Sequence, residues 1–113
     1  MGYIVGMSSK LTHVALHVRD VEVSRAFYED YCGLSVVHER PSHGGDSTIY
    51  WMAGEGQERD FVIVILPGGS RPAQSSGDFS HLGIALDSEA AVEAIADRAR
   101  ADGILAWPVH YDP

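Results

Sequence analysis

The stretch Leu11-Thr-His-Val-Ala-Leu-His-Val18 recurs in altered form downstream as Phe79-Ser-His-Leu-Gly-Ile-Ala-Leu86. In both stretches, larger apolar side chains alternate with histidine or small residues, a period of two that predicts a β-strand with one apolar face. His13 and His81 occupy the same position of the two stretches. We interpret the recurrence as an internal repeat, in which one structural unit occurs twice.

The sequence after the first copy predicts a complete small module. Asp20 is placed to cap a helix and Gly33 to end it, since aspartate accepts hydrogen bonds at helix starts and glycine adopts the backbone conformation that closes helices. Three strand-like runs separated by turn residues follow. They cover Leu34–Glu39, Thr48–Ala53 and Phe61–Leu66. Residues 11–66 are therefore predicted to form a β-α-β-β-β module.

The second copy begins the same pattern. Asp87 or Ser88 is predicted to cap a second helix and Gly103 to end it. Ile104–Val109 is predicted to be the strand that follows. Because the remaining residues are too few for two more strands of the kind found in the first module, we expect those strands to lie outside this sequence.

The chain is thus predicted to be one domain in four parts. An N-terminal tail covers residues 1–10 and the first module residues 11–66. Residues 67–78, rich in glycine, serine and proline, are predicted to be a linker. Residues 79–113 form the incomplete second module.

Composition limits the function classes. The chain has 113 residues, of which 45% are hydrophobic, enough for one core. The formal charge of -8 argues against nucleic acid and anionic membrane as partners, because such binding depends on lysine and arginine. The apolar run Phe61–Leu66 is too short to span a bilayer. With one cysteine, Cys32, and no secretory signal in residues 1–10, we expect a cytoplasmic protein.

The repeated histidines suggest a metal site. Neutral imidazole nitrogens are ligands for several divalent metals, and equivalent positions in paired repeats can point into one cavity. The alternative is that His13 and His81 are each an inert, hydrogen-bonded side chain on the less buried face of a strand.

The segment Leu11–Asp20, followed by Ser24-Arg-Ala-Phe-Tyr28 and Gly33-Leu34, with Ser80–Leu86 downstream, resembles the vicinal oxygen chelate superfamily. That group contains glyoxalase I, bleomycin-resistance proteins, fosfomycin-resistance thiol transferases and extradiol dioxygenases. The resemblance implies an α+β fold of two βαβββ modules, the glyoxalase/bleomycin resistance/dioxygenase fold, in which curled sheets surround a divalent metal. It also implies a homodimer.

Carried onto this sequence, the resemblance implies that His13 and His81 are metal ligands for Fe(II), Mn(II), Ni(II) or Zn(II). Family glyoxalases also use a glutamate on the fourth strand of the first module, where Val64 stands here. The ligand pattern that remains is two histidines and one carboxylate. We expect that carboxylate on the last strand of the second module, outside this sequence.

Two further residues are catalytic candidates. His17 shares a strand face with His13. It is therefore predicted to line the cavity enclosed by the curled sheets and to act there as an acid, a base or a substrate contact. The alternative is a half-exposed polar residue near the end of the strand. Tyr50 is predicted either to face inward and bind a substrate or to belong to the core. Trp51 and Trp107 are predicted to pack in the core, with a pocket wall or a dimer interface as the alternative positions. His38 is given no role.

The sequence therefore predicts a metal-dependent enzyme that binds a small bidentate oxygen substrate and most resembles ring-cleavage dioxygenases. One alternative is a metal-free small-molecule binding protein of the bleomycin-resistance type. Another is a glyoxalase- or epimerase-like lyase whose site forms between subunits.

Overall fold

The structure is a computed structural model that describes residues 8–69 and 80–110. The chain divides into two compact units, residues 1–74 and residues 75–113, which are described separately. The described part of the first unit, residues 8–69, contains four strands and one helix. In chain order these are β1 (His13–Val18), α1 (Val21–Cys32), β2 (Ser35–Pro41), β3 (Thr48–Ala53) and β4 (Val62–Pro67).

The four strands form one mixed sheet in the order β1-β4-β3-β2. β1 runs parallel to β4, whereas the β4–β3 and β3–β2 pairs are antiparallel. The helix α1 connects β1 to β2, which lie at the two edges of the sheet. This arrangement confirms the α+β fold and the βαβββ module predicted for residues 11–66.

Both ends of α1 are closed as the sequence predicts. The Asp20 carboxylate accepts a hydrogen bond of 3.1 Å from the backbone N–H of Val23. At the other end Gly33 has φ +67°, and its N–H donates to the carbonyl of Tyr28. A side chain at Gly33 would be strained in this left-handed conformation, which explains why glycine ends the helix.

The core of the first unit lies between α1 and one face of the sheet. Met52 of β3 and Ile65 of β4 have no exposed surface. Around them pack apolar side chains from every element of the unit: Val14, Val18, Val21, Tyr28, Leu34, Val36, Tyr50 and Ile63. The alternation predicted for β1 is therefore correct, because its valines face the core while His13 and His17 point to the other side.

The second unit is helical in its described part. α2 (Glu89–Ala101) begins after Ser88, whose hydroxyl accepts a 3.1 Å hydrogen bond from the N–H of Ala91. Gly103 follows the helix with φ +76°. Of the two predicted capping residues, Asp87 and Ser88, it is therefore Ser88 that caps α2. Neither helix of the described chain is long and apolar enough to cross a bilayer.

In the described part of the second unit, the predicted strands are not formed. Residues 80–86 and 104–109 are irregular, and residues 80–86 are exposed. The first unit shows why. There β1 is held by pairing with β4. The described residues after Leu86 contain no strand that could pair with residues 80–86 in the same way. A single exposed strand gains no stability from pairing, and its backbone bonds to water in irregular conformations equally well. The predicted core position of Trp107 is also wrong, because 76% of its surface is exposed.

Candidate functional site

The sheet face opposite α1 carries the candidate site, and we call it the histidine face. Strand register, continued by one residue at each end of the β3–β4 pairing, orders its side chains in three rows from β1 to β2. The first row is His13, Val62, Ala53 and Ser35; the second is Ala15, Val64, Trp51 and His38; the third is His17, Leu66, Ile49 and Arg40. Polar and ionisable side chains thus lie on the two edge strands, β1 and β2. Between them lie apolar side chains of β3 and β4, namely Val64, Leu66 and Ile49, which we call the apolar floor.

His13 begins β1 in the first row and is exposed. Its Nδ1 lies 3.0 Å from the hydroxyl of Thr12. In the tautomer whose Nδ1 carries the proton and donates it to the Thr12 hydroxyl, Nε2 has its lone pair available, the arrangement usual in metal-binding histidines. His13 therefore fits the role of a metal ligand through Nε2.

His17 lies in the third row with its ring held at one nitrogen. Nδ1 is 3.1 Å from the carbonyl oxygen of Pro67 at the end of β4. Because a carbonyl only accepts hydrogen bonds, Nδ1 must carry the proton. In the neutral ring Nε2 then has its lone pair free, so His17 can accept a proton or bind a ligand at that atom.

The backbone after β4 passes directly over His17. A Cβ built at Gly69 would lie 2.7 Å from both Cβ and Cγ of His17, whereas one at Gly68 would lie 3.9 Å from Nδ1. Both glycines also have positive φ. These residues belong to the linker predicted for residues 67–78, although a Pro-Gly-Gly run at the end of a strand indicates a sharp, close turn.

Tyr50 does not lie on the histidine face, which corrects its prediction as a substrate-binding catalytic residue. It faces α1, is 8% exposed, and donates a 2.6 Å hydrogen bond to the Glu22 carboxylate. That contact and burial raise the pKa of Tyr50 above its usual range. The alternative prediction, a core aromatic residue, agrees with this position.

Trp51 lies on the histidine face, half-buried, rather than in the core. Its ring contacts His38 at 4.8 Å between centroids, and the guanidinium of Arg40 lies 5.3 Å from its centroid. A β-bulge between Val36 and His38 brings both β2 side chains to this face. Strict alternation from Val36 would have turned them away, so no regular sequence period could have revealed this cluster.

His81 belongs to the second unit, where it is exposed in the irregular segment 80–86. Its predicted convergence with His13 stays a prediction, because the units are described separately. Within residues 8–69 and 80–110, no three His, Cys, Asp or Glu side chains are grouped to hold a metal ion.

Comparison with known proteins gives three results. The sequence profile of the Glyoxalase/Bleomycin resistance protein/Dioxygenase superfamily matches residues 10–110. A Pseudomonas aeruginosa protein named "Uncharacterized protein PA2024" is 50% identical over 107 residues, which are 95% of this chain and 75% of that protein. The crystal structure of the fosfomycin resistance protein FosX from Listeria monocytogenes, complexed with Mn(II) and sulfate, superimposes with a TM-score of 0.60 at 20% identity, covering 98% of this chain and 78% of FosX. At that identity the superposition shows a shared fold.

Proposed function

Because the chain belongs to the Glyoxalase/Bleomycin resistance protein/Dioxygenase superfamily, we propose that it is a metal-dependent enzyme acting on a small substrate with two neighbouring oxygen donors. In this proposal His13 and His81 hold the metal together with a carboxylate. A second copy of the chain in a homodimer can supply this carboxylate. The observation that carries the proposal is the exposed position of His13 on the histidine face, with the Thr12 hydroxyl against Nδ1.

In this proposal the side chains of the histidine face transfer a proton and position the substrate. His17 accepts or returns a proton at Nε2, since Pro67 holds its Nδ1–H. The half-buried Leu66 and Trp51 offer apolar surface to the body of a small molecule, beside the buried Val64 and Ile49. A bound Fe(II), Mn(II), Ni(II) or Zn(II) ion would supply Lewis-acid stabilisation of negative charge on the substrate oxygens.

Among the family's reactions we favour one of the ring-cleavage dioxygenase type. Val64 stands where the fourth-strand glutamate of family glyoxalases is expected, and it is buried in the middle row of the histidine face. β4 therefore offers no carboxylate to a metal. A lyase reaction would need that ligand from a partner chain.

Metal uptake by histidine variants tests the proposal. We expect the protein to bind about one Mn(II) ion per chain, measured by electron paramagnetic resonance, and both His13→Ala and His81→Ala to lose most of this binding. His43→Ala is the matched control, because His43 is exposed in the β2–β3 turn and should leave binding unchanged. Equal Mn(II) binding by all four proteins would overturn the proposal.

A second candidate function is metal-free binding of an apolar or aromatic molecule. The observation that favours it is the apolar floor beside the half-buried Trp51. If this function is correct, small aromatic molecules will bind with the same affinity before and after chelation of metals, and His13→Ala will not weaken their binding.

A further inference from the structure

Arg40 is a cation whose charge is not neutralised on the histidine face. Among residues 8–69 and 80–110, no carboxylate forms an ion pair with it; its recorded partner is the face of the Trp51 ring. By contrast, Arg25 on α1 is paired with both Glu22 and Glu29. In a chain with 16 acidic and 8 basic residues, an arginine left without a carboxylate is available for an external anion.

The position of Arg40 relates it to the candidate base. Arg40 and His17 stand at opposite ends of the third row, with Leu66 and Ile49 between them. Three strand spacings put their Cα atoms roughly 14 Å apart. Leu66 is half-buried and Ile49 is buried, so the accessible ends of this row are its two exposed side chains, His17 and Arg40.

Trp51 fixes the direction of the arginine. With the guanidinium over the indole ring and His38 against the same ring, Arg40 has fewer conformations available than a free surface arginine. A guanidinium fixed in this way presents its N–H donors as a fork that matches a carboxylate or phosphate group.

We infer that the histidine face binds an anionic molecule at its β2 edge, where Arg40 holds the carboxylate or related oxyanion group and the half-buried Trp51 contacts the apolar body. Arg40 is then a specificity-determining residue. This inference depends on the proposed function for the site's role in a reaction, but the binding of the anion requires no metal.

The test compares benzoate with benzamide, which has the same shape and no charge. Binding is measured by isothermal titration calorimetry on metal-free protein at low salt, and the indole N–H resonance of Trp51 reports the place of binding. We expect benzoate to bind more tightly than benzamide, and Arg40→Gln to weaken benzoate by about tenfold or more without affecting benzamide, as expected for loss of a charge-assisted hydrogen bond.

Arg59→Gln is the matched control. Arg59 is also exposed, lies in the turn before β4, and its removal changes the net charge equally. Arg59→Gln should leave the preference for benzoate over benzamide intact. Arg40→Lys should retain part of that preference. The inference is wrong if the wild-type protein shows no preference at millimolar concentrations, if Arg40→Gln keeps it, or if Arg59→Gln removes it to the same extent.

The outcomes also separate this inference from the proposed function. If benzoate binding depends on Arg40 while the histidine variants bind Mn(II) normally, the anion site stands and the metal proposal fails. If the histidine variants lose Mn(II) while Arg40→Gln changes nothing, the anion site fails and the metal proposal stands.

Discussion

At the scale of single residues, Tyr50 shows how one hydroxyl ties the helix to the sheet. It donates to Oε2 of Glu22, while Oε1 of the same carboxylate accepts from Arg25. The Arg25 guanidinium also lies 5.3 Å from the centroid of the Tyr50 ring. Three side chains thus form one network at the α1–β3 contact, and Tyr50 is its buried member.

Removing the Tyr50 hydroxyl should destabilise the first unit. We expect Tyr50→Phe to lower the free energy of unfolding by about 1 kcal/mol, because a hydrogen bond to a charged group is lost while the ring stays packed. Urea unfolding of Tyr50→Phe, Glu22→Gln and the double variant measures the coupling. If the two single changes add fully in the double variant, the hydrogen bond contributes nothing to stability.

The same pair predicts a loss of stability in alkali. The hydrogen bond to Glu22 is the main reason, with burial second, that the pKa of Tyr50 is raised, so the folded chain holds this proton more tightly than the unfolded chain. Its contribution is fully present below the ordinary tyrosine pKa of about 10 and is lost as the pH rises through the raised value. Comparing the unfolding of wild type and Tyr50→Phe from about pH 8 to about pH 11 should show their difference shrinking. A difference that is constant with pH would contradict this assignment.

At the scale of elements, the ends of the strands build the site more than their middles do. The bulge in β2 turns His38 and Arg40 onto the histidine face, and the turn after β4 holds His17. Bulges and strand ends depart from the period of two, so side chains there take directions that alternation does not predict. This is why the middle of β1 was predicted correctly and the β2 cluster was not predicted at all.

Alanine at Gly69 should displace the His17 ring. The added Cβ would collide with His17 at 2.7 Å, and the positive φ adds backbone strain. We expect the ring nitrogen resonances of His17 to shift in Gly69→Ala, as the Nδ1 hydrogen bond to Pro67 weakens. Gly68→Ala is the matched control, since it has the same strain but only an ordinary contact of 3.9 Å. Equal shifts in both variants would mean that strain, not contact, positions His17.

At the scale of the whole molecule, the two units differ in how their strand-like sequences are satisfied. β1 obtains its hydrogen bonds from β4, a strand that follows much later in the chain. The repeated stretch at residues 80–86 has the same alternation without such a neighbour in the described chain. Strand formation here depends on a partner, not on local sequence.

Hydrogen exchange should reveal this difference. We expect the amides of Ile63 and Ile65 in β4, which lies between two strands, to exchange slowly, and those of Ile84 and Leu86 to exchange nearly as fast as in an unfolded peptide. Amides in the middle of α2 serve as the internal control for folding of the second unit. Protection of Ile84 comparable to that of Ile63 would show that residues 80–86 pair with another strand in solution.

The sequence by itself determined the βαβββ module, both caps of α1, the start of α2 and the face on which His13 and His17 lie. These features depend on local rules, namely side-chain alternation, hydrogen bonding at helix starts and the backbone freedom of glycine, which neighbouring residues are sufficient to express.

Only the tertiary structure decided which side chains of β2 and β3 lie on the histidine face and which lie on the face toward α1. Tyr50 turned to the helix because β3 pairs with β4 in one register, and Arg40 and His38 reached Trp51 because a bulge shifted β2 by one residue. It also decided that the repeated stretch is not a strand among the described residues. Register and pairing are set by contacts between segments distant in sequence, so no single stretch contains the information that fixes them.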